Sequence, residues 1–235
     1  KMINKFKKIL GMAKEKNAIK EQEGYDEALD ENFDGREEIS DKELDKLVDS
    51  TFIETTAEAV GFENRQSQWN AYRIVSQYIN PEGSVIDFGC ARGDFKSFFL
   101  DEFTFDLDYT GIDMNKQLID AGLKVNPSYN LLHKDWTKFE GNADWCISIG
   151  SHDVRFDANL KLSDKEYLIE SIKKMYNCAN EGICIMLASD ILQQDEGIIT
   201  WNAGELFNDV LKEFRTALID HSFSDALFII TIYKN

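Results

Sequence analysis

Residues Ser84 to Phe95, Ser-Val-Ile-Asp-Phe-Gly-Cys-Ala-Arg-Gly-Asp-Phe, constrain the fold more than any other stretch of the chain. Val85, Ile86 and Phe88 form a short apolar, partly β-branched run that reads as a buried strand. Gly89 and Gly93 follow at once, and Phe95, Phe98, Phe99 and Leu100 then recur at helical spacing. The unit is strand, glycine turn, helix. A glycine turn tolerates unusual backbone angles and admits a ligand close to the main chain, although tight packing alone also explains such a turn. Asp87, at the strand end, can accept hydrogen bonds from a ligand amine or an ordered water. Asp113 adds a second constraint. It ends the next apolar strand, Tyr109-Thr110-Gly111-Ile112. An acid at the tip of the second strand of a βαβ unit is placed to bond a ribose diol, so the two features together specify a nucleoside-containing cofactor.

The alternation of strand and helix continues along the chain. A helix over 66–79, stopped near Pro81, precedes the strand at 84–88. Helix 93–101, strand 108–112, helix 115–123 and a short strand at Leu131–His133 follow. Trp145 to Ile149 reads as a fourth strand ending in Gly150. Ser163 and Glu166 form a capping-box pair that starts a helix over 164–178. Ile183 to Ala188 is wholly apolar and reads as a fifth strand buried on both faces. A helix over 204–211 and strands at 214–220 and 226–233 complete the pattern. The short join at 221–225 makes the last two strands antiparallel. The expected fold is therefore α/β, a doubly wound, mostly parallel seven-stranded sheet with an antiparallel C-terminal hairpin and a helical N-terminal extension. Asp87–Gly93, Asp113, Asp135 and Gly150–His152 all fall at expected strand ends, where such sheets bind their ligands.

Composition narrows the function. The formal net charge of −17 disfavours binding to phosphate backbones. That charge is unevenly spread. Residues 1–20 carry seven Lys and one Glu, with Met2, Ile3, Phe6, Ile9, Leu10 and Ala13 near helical spacing. This basic amphipathic helix either packs on its own domain or meets a protein partner or an anionic surface. Residues 21–60 read as an acidic linker with a short helix after Ser40 and Glu43, and the folded domain spans 62–235. Cys90, Cys146, Cys178 and Cys184 form no Cys-x-x-Cys pair and read as buried, reduced thiols. His133, His152 and His221 are too scattered to hold a metal. No apolar run reaches the roughly 18 residues of a membrane span, and no secretory leader is visible. A soluble, cytoplasmic protein is the expectation.

Four segments resemble the class I S-adenosylmethionine-dependent methyltransferases. Val-Ile-Asp-Phe-Gly-Cys-Ala-Arg-Gly-Asp-Phe (85–95) looks like that family's first motif, Asp-x-Gly-x-Gly-x-Gly, with Ala91 where the middle glycine often stands. Gly-Ile-Asp (111–113) looks like its ribose-binding acid, Lys-Asp-Trp (134–136) like its adenine-contacting turn, and Asp-Trp-Cys-Ile-Ser-Ile-Gly-Ser-His (144–152) like its fourth strand and active-site loop. Order and spacing agree over residues 62–235. Within the class the chain is most similar to generic small methyltransferases of unassigned substrate, which typically have Asn where Asp153 stands.

The resemblance implies S-adenosylmethionine as cofactor and a small-molecule or protein methyl acceptor. It also implies roles for individual residues. Gly89 and Gly93, with Cys90 and Ala91 between them, would let the backbone approach the methionine part, and Asp87 would bond its amino group. Asp113 would take the ribose hydroxyls, with Met114 beside it. Asp135 would accept from the adenine amino group. Trp136 either packs on the adenine ring or belongs to the core. Gly150 would border the reacting end. His152 and Asp153 are the candidate bases, with a hydrogen-bonded loop histidine as the plainer reading. Arg155, Trp201 and Trp69 are the candidate substrate-binding residues. A nucleic-acid methyltransferase is disfavoured by charge and by the lack of an Asn-Pro-Pro-Tyr or Asp-Pro-Pro-Tyr motif, Pro81 and Pro127 being the only prolines. A methyltransferase-like binding module docked through residues 1–20 is the main alternative. A nicotinamide-binding domain ranks last, because Gly89 and Gly93 lack the Gly-x-Gly-x-x-Gly pattern.

Overall fold

Val85–Phe88 (β1) sits in the middle of the sheet, buried at all four residues. The computed structural model describes residues 52–154, 162–192 and 198–234. The basic segment at 1–20, the acidic stretch as far as residue 51 and Arg155 lie outside the described residues. β1 pairs in parallel with β2 (Tyr109–Asp113) on one side and β4 (Ala143–Ile149) on the other. β3 (Asn130–His133) continues the parallel sheet beyond β2, and β5 (Ala179–Ala188) beyond β4. β7 (Leu227–Tyr233) runs antiparallel beside β5, and β6 (Ala217–Asp220) is antiparallel to β7 at the edge. The seven-stranded order is β3-β2-β1-β4-β5-β7-β6. The sheet's direction of growth reverses between β1 and β4, and ligands of doubly wound sheets bind at such a switch point.

Side-chain alternation along the strands divides the core into two layers. Val85, Tyr109 and Ile147 face α1 (Arg65–Val75), α2 (Asp94–Phe103) and α3 (Lys116–Val125), meeting Tyr72, Phe95, Phe98 and Ile119. Ile86, Ile112 and Cys146 face α4 (Asp164–Cys178) and α5 (Ala203–Glu213), meeting Leu168, Ile172, Met175 and Val210. Ser163 and Glu166 cap α4 reciprocally, as the sequence pattern indicates. All four cysteines are free and buried.

Several element boundaries differ from expectation, β5 starting at Ala179 rather than Ile183 among them. The first helix ends at Val75 rather than 79. Gln77 and Tyr78 donate to Ile74 and Val75 carbonyls in tightening turns, and this brings the Tyr78 hydroxyl to Asp220 of β6. That tertiary contact, rather than Pro81, sets the boundary. Residues 214–216 likewise fall outside β6, because α5 runs on to Glu213 and Phe214 caps it.

Candidate cofactor and active site

The loop after β1 turns through left-handed backbone at Gly89 (φ 85°), Ala91 (φ 51°) and Gly93 (φ 76°). Its amides are tied to β2. Gly89 and Cys90 N–H both donate to the Ile112 carbonyl, at 2.8 and 3.1 Å. Ala91 N–H donates to Asp113 Oδ2 at 2.8 Å, while Asp113 Oδ1 accepts from Asn115 N–H at 2.7 Å. Asp113 therefore holds the loop as well as ending β2. An ionised carboxylate has about four acceptor positions, so about two remain for a ligand diol. Burial raises the Asp113 pKa, against the Asn115 and Ala91 amides, which lower it.

The glycines face protein as well as the open end of the sheet. A Cβ on Gly89 would lie 2.3 Å from Ser151 Cβ, and one on Gly93 would lie 2.8 Å from Leu131 Cδ2. Gly89 thus lets the loops after β1 and β4 touch. The buried Cys90 thiol donates to the loop's own Ala91 carbonyl at 3.6 Å and occupies the space that a side chain on Gly111 would need. Asp87 is only 4% exposed and lies beneath the loop, with Tyr109 Oη donating to its Oδ2 at 2.7 Å. Burial pushes its pKa up to about 7; the Tyr109 hydrogen bond opposes this and the Asp113 charge adds to it. Two carboxylates near each other at neighbouring strand ends make the position favourable for a cation.

Beyond β3, Asp135 caps the short turn Trp136–Lys138, accepting from Thr137 N–H and Oγ1 through Oδ1. Burial opposes ionisation there, but Thr137 and Lys138 outweigh it and lower the Asp135 pKa. Trp136 leans on the α4–α5 layer, donating from Nε1 to Tyr167 Oη at 2.6 Å. Met114, beside Asp113, is 43% exposed.

The end of β4 is organised differently. A Cβ on Gly150 (φ 72°) would meet Asp153 Oδ2 at an ordinary contact distance of 3.8 Å. His152 is 7% exposed, its Nδ1 at 3.1 Å from Ser148 Oγ and 3.3 Å from Ser151 Oγ. Burial lowers its pKa to about 4, so the ring is neutral at pH 7. Asp153 is 6% exposed, and burial raises its pKa to about 7 against the Ala188 N–H that donates to its Oδ1 at 3.0 Å. Its carbonyl accepts from Ile199 N–H at 2.8 Å. Trp201 is buried in the α4–α5 layer; its indole N–H lies near the Asp153 carboxylate, outside hydrogen-bond geometry, and its backbone N–H donates to the Ala188 carbonyl. The two base candidates are thus neighbours in a tucked loop that ties β4 to β5.

Trp69 is on the other side of the sheet. It packs on Phe98 and Tyr72, with the Arg65 guanidinium 4.5 Å from its ring, and lines a cleft of about 370 Å³ with Arg65, Arg92 and Asp94. The structure therefore separates Trp69 from Trp201 and gathers Asp87, the glycine loop, Asp113 and Gly150 near the switch point. Sequence reasoning missed Tyr109, Ser148, Ser151 and Arg92. Only Arg92 had a signal, a charged residue inside a glycine loop that a ligand would approach. Among the described residues no cluster of His, Cys, Asp or Glu could hold a metal ion, and no helix is long and apolar enough to cross a membrane.

The strand order, the antiparallel β7 beside β5 and the glycine loop at the switch point make this the fold of the class I S-adenosylmethionine-dependent methyltransferases. Three solved structures illustrate the likeness. Magnesium protoporphyrin IX methyltransferase ChlM from Synechocystis, with S-adenosylhomocysteine bound, is 11% identical with a TM-score of 0.53, over 81% of this chain and 100% of that one. The plantazolicin methyltransferase BpumL, in complex with a monoazolic desmethylplantazolicin analogue and S-adenosylhomocysteine, is 17% identical with a TM-score of 0.52, over 72% of this chain and 83% of that one. A TehB-like S-adenosylmethionine-dependent methyltransferase from Corynebacterium glutamicum is 13% identical with a TM-score of 0.50, over 70% and 87%. No family model matches the sequence, and no curated relative does.

Proposed function

We propose that this chain binds S-adenosylmethionine and transfers its methyl group to a small-molecule or protein acceptor. One observation carries the reading: Asp113, at the tip of β2, anchors the left-handed loop after β1 through Ala91 and retains acceptor capacity for a ribose diol. The residues fit the cofactor on charge as well. Asp87 and Asp113 form an anionic end to β1 and β2, suited to the ammonium and sulfonium of the methionine part. Solved structures of this fold contain S-adenosylmethionine or S-adenosylhomocysteine.

The bound cofactor supplies an already activated methyl group, so the chain's task is position and electrostatics. In this reading the glycine loop shapes the methionine site, Asp113 takes the ribose, and Asp135, Met114 and Trp136 border the adenine. Gly150 leaves room at the reacting end. His152, neutral at pH 7 and held at Nδ1 by two serines, orients the acceptor through its remaining nitrogen. Asp153 holds the loop rather than reaching an acceptor. A weak base suits an acceptor already nucleophilic at neutral pH. The net charge of −17 argues against a polyanionic acceptor.

Calorimetry of the full chain with S-adenosylmethionine and S-adenosylhomocysteine tests the reading. Micromolar binding of both is expected. A cation stabilises ionised Asp87, whose pKa is about 7 without ligand. Affinity should therefore rise about tenfold from pH 6 to pH 8, with proton release at pH 7. No heat with either compound at high micromolar concentration overturns the assignment.

A second reading, a module that binds the cofactor without turnover, is favoured by the burial of both base candidates, His152 and Asp153. Transfer of a labelled methyl group into small-molecule or protein fractions separates the two readings.

A further inference from the structure

The glycine loop is strained at one residue and clamped on both sides of it. Ala91 is left-handed at φ 51°, a conformation that an L-residue keeps only when its surroundings over-determine it. Asp113 holds its amide on one side. On the other side Arg92, 3% exposed, donates from one terminal nitrogen to Asp94 Oδ2 at 2.5 Å and from the other to the Ile53 carbonyl at 2.6 Å. Asp94 also accepts from Gln68 Nε2 at 2.9 Å, and the Gln68 amide oxygen accepts from Arg65 at 3.1 Å. Gln68 is fully buried.

Residues 53–55 are held as a strap by three separate elements. Ile53 is held by Arg92 of the loop. Glu54 pairs with Lys124 of α3 at 2.6 Å, and the Thr55 carbonyl accepts from Arg65 of α1 at 3.3 Å. A buried guanidinium is costly unless paired, and Arg92 Nε has no partner. An apolar residue would fill the same volume with less cost. What the arginine adds is a link from the strap, through the residue after Ala91, to the first residue of α2.

Resting on the cofactor reading above, we propose that Arg92 is a positioning residue: it fixes the left-handed turn at Ala91 by coupling it to the 53–55 strap, so that affinity for S-adenosylmethionine depends on contacts made away from the strand ends.

Titration of S-adenosylhomocysteine into the full chain, well below the unfolding temperature, tests the proposal. Arg92→Lys should weaken binding about tenfold, the loss expected for one charge-assisted hydrogen bond. Glu54→Lys, which touches neither the loop nor the strand ends, should weaken it about twofold to fivefold, the range for a partly exposed ion pair. Adding Lys124→Glu to Glu54→Lys should restore it. Hydrogen exchange at the Ala91 amide in the ligand-free chain should quicken in Arg92→Lys and Glu54→Lys and slow again in the swapped pair. Unchanged affinity and exchange in Glu54→Lys, with only a lower unfolding temperature in Arg92→Lys, would overturn the positioning role and leave the cofactor reading standing. Failure of the unaltered chain to bind overturns both.

Discussion

The two halves of the strand-end site differ in how they use their polar groups. On the β1–β2 side, Asp113 bonds the Ala91 and Asn115 amides and retains acceptor capacity. On the β4–β5 side, His152 and Asp153 spend theirs on Ser148, Ser151 and the Ala188 amide. One half keeps acceptor capacity at its strand end. The other is arranged to hold two strands and a loop together. Asp113 and Asp153, at equivalent places after parallel strands, thus differ: one keeps acceptor capacity and the other ties a loop to β5, while His152 keeps only its second ring nitrogen for an acceptor. Burial sets the charge states on the β4–β5 side, as it does for Asp87: Asp153 keeps its proton up to about pH 7, and His152 gives its up above about pH 4.

This contrast can be broken by substitution, and the largest effect is expected at Trp201. Trp201→Ala should cost about 3–5 kcal/mol of stability, as for other buried tryptophans. Cofactor affinity of the folded fraction should stay the same, as read by denaturant unfolding alongside calorimetry. A large loss of affinity without destabilisation would make Trp201 a pocket wall after all. Asp113→Ala comes next. Losing two hydrogen bonds to a charged group should weaken cofactor binding by about 3 kcal/mol, on the order of a hundredfold. Unchanged affinity would remove Asp113 from the site. The effect at Asp153 appears only as pH rises. Its folded pKa is raised, so the wild-type chain loses stability as pH climbs from about 4 through about 7. Asp153→Asn keeps a carbonyl acceptor for the Ala188 amide and removes that loss. It should raise stability by up to about 4 kcal/mol at pH 8, at about 1.4 kcal/mol for each of roughly three units of pKa difference, and leave it unchanged at pH 4. Equal stability of the two chains at both pH values would show that Asp153 ionises without penalty and is more open than the structure has it.

The legible and illegible parts of the molecule divide along the same line. Val85–Phe88 and the Ile183–Ala188 part of β5 were readable because a strand buried on both faces must be apolar nearly throughout, whereas the start of β5 at Ala179, with exposed Asn180 and Glu181, was not. The capping pair at Ser163 and Glu166 is local chemistry and is equally plain in the sequence. The place of Asp113 at a strand end was visible because the apolar run Tyr109–Ile112 stops there. His152 and Asp153 looked just as exposed, since polar residues after a strand usually read as open loop. Their burial depends on the Ala188 amide, on Ile199 and on Ser148, contacts that no local pattern announces. The same applies to the end of α1, where Tyr78 turns out of the helix toward Asp220. It applies to Gly89, whose missing side chain makes room for Ser151. Each of these is a pairing between distant residues, and a single sequence carries no record of it.

The placement of β7 has a consequence for how the chain is assembled. It is the last strand in the sequence, yet it lies inside the sheet, between β5 and β6. During synthesis the cofactor end, β1 to β4, leaves the ribosome early. Until residues 227–233 follow, β5 has an open apolar edge and β6 has no neighbour. The nascent protein therefore carries a nearly complete recognition end on an unfinished sheet. Its exposure to aggregation lasts until the final strand slides into the gap like a keystone.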